Sequence, residues 1–270
     1  MIDNAIYEKV QQHHKAINKF CEANGHILVF TALFGSQNYN LNDENSDIDT
    51  KSMIIPNPKE YLYKNTESHY MINFTNGDHA EAYQCYNLLR QFKKGNINFL
   101  ETLFTDYIVV ESEWNWVIKQ LNDKKDTIAK ADLRNQANVW FGYIVQMYER
   151  SYNSVTKEIN YKALMNLARL IRSYYLYFIR DEDFAHSIYF PEKDPYRARL
   201  LQIKHGDFTE DPLTLRDSLY AEGQSYQSIV KSHYEENPPE VINIEEELKL
   251  INYKMFVNAI ADTLNNKYDF

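Results

Sequence analysis

The apolar run at residues 26–34, HILVFTALF, stops at Gly35-Ser36, and eleven residues after that serine Asp47-Ile48-Asp49 opens the next apolar run. A run apolar almost throughout suits a strand covered on both faces, near the middle of a sheet. In an extended strand alternate side chains share a face, so Asp47 and Asp49 point one way and Ile48 points into the core. Two carboxylates on one face repel each other unless a cation lies between them. Mg²⁺ (or Mn²⁺) answers that need, because it takes oxygen ligands and completes its octahedron with phosphate oxygens and water. Gly35 lets the backbone approach a phosphate closely, and Ser36 offers a hydroxyl and an amide to it. The pattern points to metal-assisted nucleotidyl transfer from an NTP such as ATP.

The same residues carry a family resemblance. G-S, a spacer of about ten residues and D-x-D, continued as SDIDTKSMI with Lys51 and by KGNINFLETLF at 94–104, resemble the nucleotidyltransferase superfamily that includes DNA polymerase β. Within it, the chain looks like the branch of predicted bacterial and phage nucleotidyltransferases linked to RNA repair. The likeness covers roughly the first 110 residues well and the remainder loosely. It implies a third acidic residue on a neighbouring strand, serving as metal ligand or as base for the attacking hydroxyl. Glu81 is the candidate: it lies mid-strand in HAEAYQ, and Ala80 and Ala82 beside it suit a buried face, which sends His79, Glu81 and Tyr83 to the other. Asp78 is the rival, but it falls in a predicted turn, where Asp is ordinary. Many relatives carry Asp in this role, so Glu81 departs from the pattern. Glu101 also matches a family position, with a structural role in capping or in pairing with a basic residue behind the site.

At 270 residues there is room for one large domain or two modest ones. The chain is rich in Tyr (22) and Phe (14), most of which read as packing residues. A net charge of −9 argues against an extended nucleic-acid footprint but leaves room for a local basic pocket. Cys21 and Cys85 make neither a metal spacing nor a disulfide framework, which fits a reducing cytosol. With no leader and no apolar stretch near 18 residues, the expectation is a cytoplasmic protein with no membrane partner.

Periodicity predicts a helix over 3–23 ended by Asn24-Gly25, a strand over 26–34, a short helix or turn at 37–41 and a strand over 48–55 stopped by Pro56 and Pro58. KEYLYKN (59–65) reads as a helical piece, and HYMINF and HAEAYQ flank Asn76-Gly77-Asp78 as a hairpin. Residues 85–104 are helical with a break at Gly95-Asn96, and YIVV is one more strand. Segments 114–122, 131–155, 159–180, 213–234 and 244–267 read as helices, with DPYR, EDPLT and ENPPE as connections. The expected fold is α+β: a small mixed sheet over 1–112, the nucleotidyltransferase unit, followed by an all-helical domain over 113–270.

In the second half Lys162, Asn166, Arg169 and Ser173 make one polar stripe at helical spacing, able to meet a triphosphate or an RNA backbone. Arg169 and Arg172 sit in apolar company and need an anionic partner. Lys51 is placed to reach a phosphate or to pair with an aspartate. Of the histidines, His13 falls on the apolar stripe of the first helix as a packing residue and His14 beside it as a solvated one. Two other readings compete. Arg180 and His186 in RDEDFAH match the R-x(4–6)-H spacing of metal-free helical RNases, although the acidic run between them would repel RNA. A catalytically silent binding module is the other, and intact Gly35, Ser36, Asp47 and Asp49 argue against it. The reading is an enzyme: Asp47, Asp49 and Glu81 as metal ligands and catalytic residues, Gly35, Ser36, Lys51, Lys162 and Arg169 holding the NTP, and an acceptor hydroxyl on an RNA end, a protein or a small molecule.

Overall fold

The computed structural model describes residues 3–44, 46–57 and 69–265, with side chains to 261. The expected helical piece at 59–65 lies outside the described residues. The fold is mixed α+β. A long helix, α1 (Asn4–Asn24), leads into strand β1 (Ile27–Phe34), a run of turns, and β2 (Asp49–Ile55). A hairpin of β3 (His69–Asn73) and β4 (His79–Gln84) follows, then helix α2 (Cys85–Lys93), the single turn α3 (Ile97–Leu100), and β5 (Ile108–Val110). The five strands form one sheet in the order β3-β4-β2-β1-β5, in which β2 and β4 run parallel and every other pair antiparallel. β1 is buried at nearly every position, as its unbroken apolar sequence requires of an inner strand.

Alternation divides the sheet into two faces. Leu28, Ile54, Ala80 and Ala82 pack with Ile17 and Cys21 of α1 in a small apolar layer. The opposite face joins a much larger cluster that runs from Val29, Met53 and Ile55 to Trp140, Leu164 and Met255. The sheet and the later helices therefore share one continuous core. Both cysteines are buried and free, with their thiols pushed up to about 12 chiefly by burial.

The α1 layer is not wholly apolar. His13 Nδ1 lies 3.0 Å from Thr50 Oγ1, and its ring stacks on Phe74 with centroids 4.4 Å apart. His14 contradicts the expectation of a solvated residue. It is buried, 3.0 Å from Thr31 Oγ1 through Nδ1 and 2.9 Å from Glu111 Oε1 through Nε2. Partners brought together from far along the chain supply these contacts, and helical periodicity cannot register them. Burial lowers the pKa of both histidines.

The later helices are α4 (Asn115–Ala129), α5 (Leu133–Arg150), α6 (Tyr161–Tyr174), the short α7 (Phe184–Ile188), α8 (Pro195–His205), α9 (Pro212–Glu236) and α10 (Glu245–Asn265). Three details depart from expectation. The helix expected to reach residue 155 stops at Arg150, where Tyr152–Asn153 (β6) and Glu158–Ile159 (β7) form a two-residue ladder. α6 runs on as a π-helical turn, Tyr175–Ile179. DPYR opens α8: the Asp194 carboxylate accepts the Tyr196 N–H and Pro195 takes the first turn, where a missing N–H costs nothing. Among the described residues no helix is long and apolar enough to cross a membrane.

Candidate active site

A cleft of about 660 Å³ lies between the sheet and helices α5, α6 and α8. Its sheet side is built by register. Phe34, the last residue of β1, pairs with Asp49, the first of β2, so the glycine turn and the D-x-D meet although the sequence separates them. Gly35 has φ 85, a left-handed conformation, and a Cβ there would stand 3.5 Å from Asp49 Oδ2. The backbone angle selects glycine, while the space beside Asp49 would admit a Cβ at ordinary contact distance. Its N–H donates to Glu101 Oε2 at 3.1 Å, so this amide is used within the fold. Gly35, Ser36, Asp47 and Asp49 all line the cleft.

Asp49 opens β2, whereas Asp47 stands on the loop leading into it. Burial raises the Asp49 pKa and the nearby Asp47 carboxylate adds to this, while His79, Lys162 and Lys51 pull it back. His79 Nδ1 lies 3.3 Å from Asp49 Oδ1, a consequence of the parallel register that sets Asp49 beside His79 and Lys51 beside Glu81. Glu81 does face the cleft, as alternation along β4 predicts. Its carboxylate, however, is held by Lys51 Nζ at 3.5 Å and by the Tyr83 hydroxyl, which donates to Oε2 at 2.7 Å. Among the described residues no three His, Cys, Asp or Glu side chains gather closely enough to hold a metal. Asp47, Asp49 and Glu81 all line the cleft, with the Glu81 carboxylate engaged by Lys51 and Tyr83.

Lys51 is almost wholly buried, with Nζ 2.8 Å from the centre of the Phe34 ring. Burial lowers its pKa, and Glu81 and then Glu101 oppose the shift. Glu101 is fully buried; burial raises its pKa, opposed first by Lys51 and also by Tyr39, Arg169 and the Gly35 amide. It accepts the Gly35 N–H and also lines the cleft.

Asp78, the rival third carboxylate, does not line the cleft. It is buried, accepts the Ile48 N–H at 2.9 Å through Oδ1, and accepts Asn76 Nδ2 at 2.7 Å through Oδ2. His13 Nε2 and Lys9 Nζ lie 3.6 and 3.9 Å from that second oxygen.

The helical side of the cleft contributes cations. Lys162 Nζ reaches to 4.0 Å from Asp47 Oδ2. Arg169 is buried, donates through Nε to Asn166 Oδ1 at 3.1 Å, and stacks its guanidinium 4.0 Å from the centre of the Tyr39 ring. Its Nη1 is buried with no hydrogen-bond partner. Ser173, last of the stripe, is buried away from the cleft, and Arg172 lies over the Tyr175 and Tyr196 rings instead. Arg180 and His186 do not line the cleft either; His186 pairs with Glu182 at 3.0 Å.

Sequence reasoning missed Tyr39, Arg150, Lys204 and His205, all of which line the cleft. The last two ride on α8, whose start was legible in Asp194-Pro195 had that pair been taken as a cap instead of a turn. Lys204 Nζ binds Asp43 Oδ2 at 2.7 Å, Ser46 Oγ at 2.9 Å and the Leu41 carbonyl at 3.4 Å. Arg197 Nε donates to the Asn40 carbonyl at 2.6 Å, and the Phe190 N–H to that of Tyr39 at 3.0 Å. The spacer between glycine turn and aspartates is thereby fastened to the helices.

No family model matches the chain, and no curated protein matches it.

Proposed function

We propose that the cleft is the active site of a metal-dependent nucleotidyltransferase, which moves an NMP from an NTP to a hydroxyl acceptor and releases pyrophosphate. One observation carries this reading: Gly35-Ser36 and Asp47/Asp49 meet at the ends of paired strands, facing a helix that presents Lys162 and Arg169. A nearby pair of carboxylates, one with a raised pKa, suits a hard divalent cation whose remaining ligands are phosphate oxygens and water. Asp47 and Asp49 would hold Mg²⁺ or Mn²⁺. When bound, the metal supplies charge neutralisation at the transferring phosphoryl group.

The chain's own groups do the rest. Ser36 and the glycine turn seat the terminal phosphates, and the charges of Lys162 and Arg169 neutralise them. This leaves the α-phosphorus beside the aspartates for in-line attack. Glu81, as arranged, opposes the lowering of the Lys51 pKa by burial, and its part in activating the acceptor hydroxyl depends on release from Lys51 and Tyr83. In this reading residues 1–112 form the transferase unit and 113–270 the helical unit that selects the acceptor. The family resemblance alone favours an RNA end as acceptor, and the acidic balance leans against a long RNA footprint.

Incubation with each labelled NTP and Mg²⁺ or Mn²⁺, with and without total RNA, tests this directly. Label should enter an acceptor in the intact protein and not in Asp47→Asn. Equal incorporation by the variant would exclude the mechanism.

A further inference from the structure

The turn between β3 and β4 does more than connect strands. Its Asp78 carboxylate accepts the main-chain N–H of Ile48, the residue between the two aspartates, at 2.9 Å. Its Gly77 has φ 94, and a Cβ there would stand 2.9 Å from Asp47 Oδ1, inside any real contact distance. The turn is closed on itself, with the Phe74 N–H donating to the Asp78 carbonyl at 3.0 Å and the Gly77 N–H to that of Phe74 at 3.2 Å. It is braced from below by His13 and Lys9 of α1, which face Asp78 Oδ2.

We propose that this turn is the template that sets the direction of the D-x-D carboxylates, with Asp78 as a positioning residue and Gly77 as the gap into which the Asp47 carboxylate fits. The inference rests on the nucleotidyl-transfer reading and adds to it a part of the machinery that touches neither metal nor substrate. Asp47 precedes β2, so no strand pairing fixes its backbone. The Ile48 N–H is the last main-chain donor before the ladder begins, and a buried carboxylate accepts it through a charge-assisted bond. The Ile48 carbonyl also accepts the His79 N–H, at 3.3 Å, so without the Asp78 bond Ile48 is held on its carbonyl side alone and the aim of the Asp47 carboxylate loosens. Groups that orient metal ligands in this way matter nearly as much as the ligands themselves.

The test is Mn²⁺ binding to the full chain, read by electron paramagnetic resonance, together with amide hydrogen exchange at Ile48 and the kcat and KM for NTP transfer. Asp78→Asn keeps an oxygen able to accept the Ile48 N–H and should bind Mn²⁺ within about threefold of the parent. Asp78→Ala removes the acceptor and should weaken Mn²⁺ binding about 10- to 100-fold, speed exchange at Ile48, and lower kcat more than it raises KM. Gly77→Ala, which leaves Asp78 in place and displaces Asp47, should weaken Mn²⁺ binding similarly even if Asp78→Ala fails to fold. A folded Asp78→Ala or Gly77→Ala protein that binds Mn²⁺ like the parent overturns the template role alone. A parent protein that binds no Mn²⁺ overturns both this role and the transfer reading.

Discussion

Asp49 shows how a site residue can be costly to the fold that carries it. Its pKa is raised mainly by burial and further by Asp47. A carboxylate whose folded pKa exceeds its unfolded value weakens the fold as pH climbs past the unfolded value, and the loss is complete above the folded one. Asp49→Asn lacks that penalty. In metal-free buffer the variant should therefore be more stable than the parent at neutral pH, with the gap closing as pH falls below the ordinary carboxylate range. Urea denaturation at pH 7 and pH 3.5 checks this, and added Mg²⁺ should stabilise only the parent. The paired aspartates were legible because their type, spacing and flanking strands all spoke together. The Lys51 partnership with Glu81 was not, since it depends on the parallel register of β2 and β4, which no local pattern encodes. His14 was missed for the same reason: its partners Thr31 and Glu111 come from β1 and the segment after β5.

Secondary-structure elements with strong local punctuation were readable, and α8 marks where the reading stopped. Asp194-Pro195 is as good a helix opening as Asp211-Pro212, yet the weak amphipathic pattern that follows gave no reason to extend it. The cost was functional, because α8 delivers Lys204 and Arg197 to the spacer between glycine turn and aspartates. Asp194→Ala should lower global stability by about 1 kcal/mol, the usual cost of a lost N-cap, as measured by urea unfolding. Lys204→Ala should do something different. It removes the ammonium that joins Asp43, Ser46 and the Leu41 carbonyl, and should raise the KM for NTP several-fold with little change in melting temperature. A KM equal to the parent's would show that the spacer keeps its shape unaided.

At the scale of the whole molecule, the change of texture near residue 112 separates a sheet from helices in sequence, while the core runs through both. Trp140 of α5 is fully buried among Tyr174, Tyr177, Phe178 and Phe184, and belongs to the same cluster as Val29 and Met53 of the sheet. One shared core predicts one cooperative unfolding transition, with calorimetric and van't Hoff enthalpies in agreement. Two separated transitions would mean that the halves are stable on their own. Trp140→Ala should cost about 3–5 kcal/mol and shift that single transition as a whole.

The polar seam beneath α1 has a consequence for how the molecule can be assembled. Thr50 meets His13, and His14 meets Thr31, whose hydroxyl lies 2.7 Å from that of Ser52. An apolar interface tolerates sliding, since one methyl serves nearly as well as the next. Here a helix seated one turn too far along the sheet would strand several buried hydroxyls and imidazoles at once. The seam acts as a key cut for a single lock position, and the helix it seats is the one that braces the β3–β4 turn.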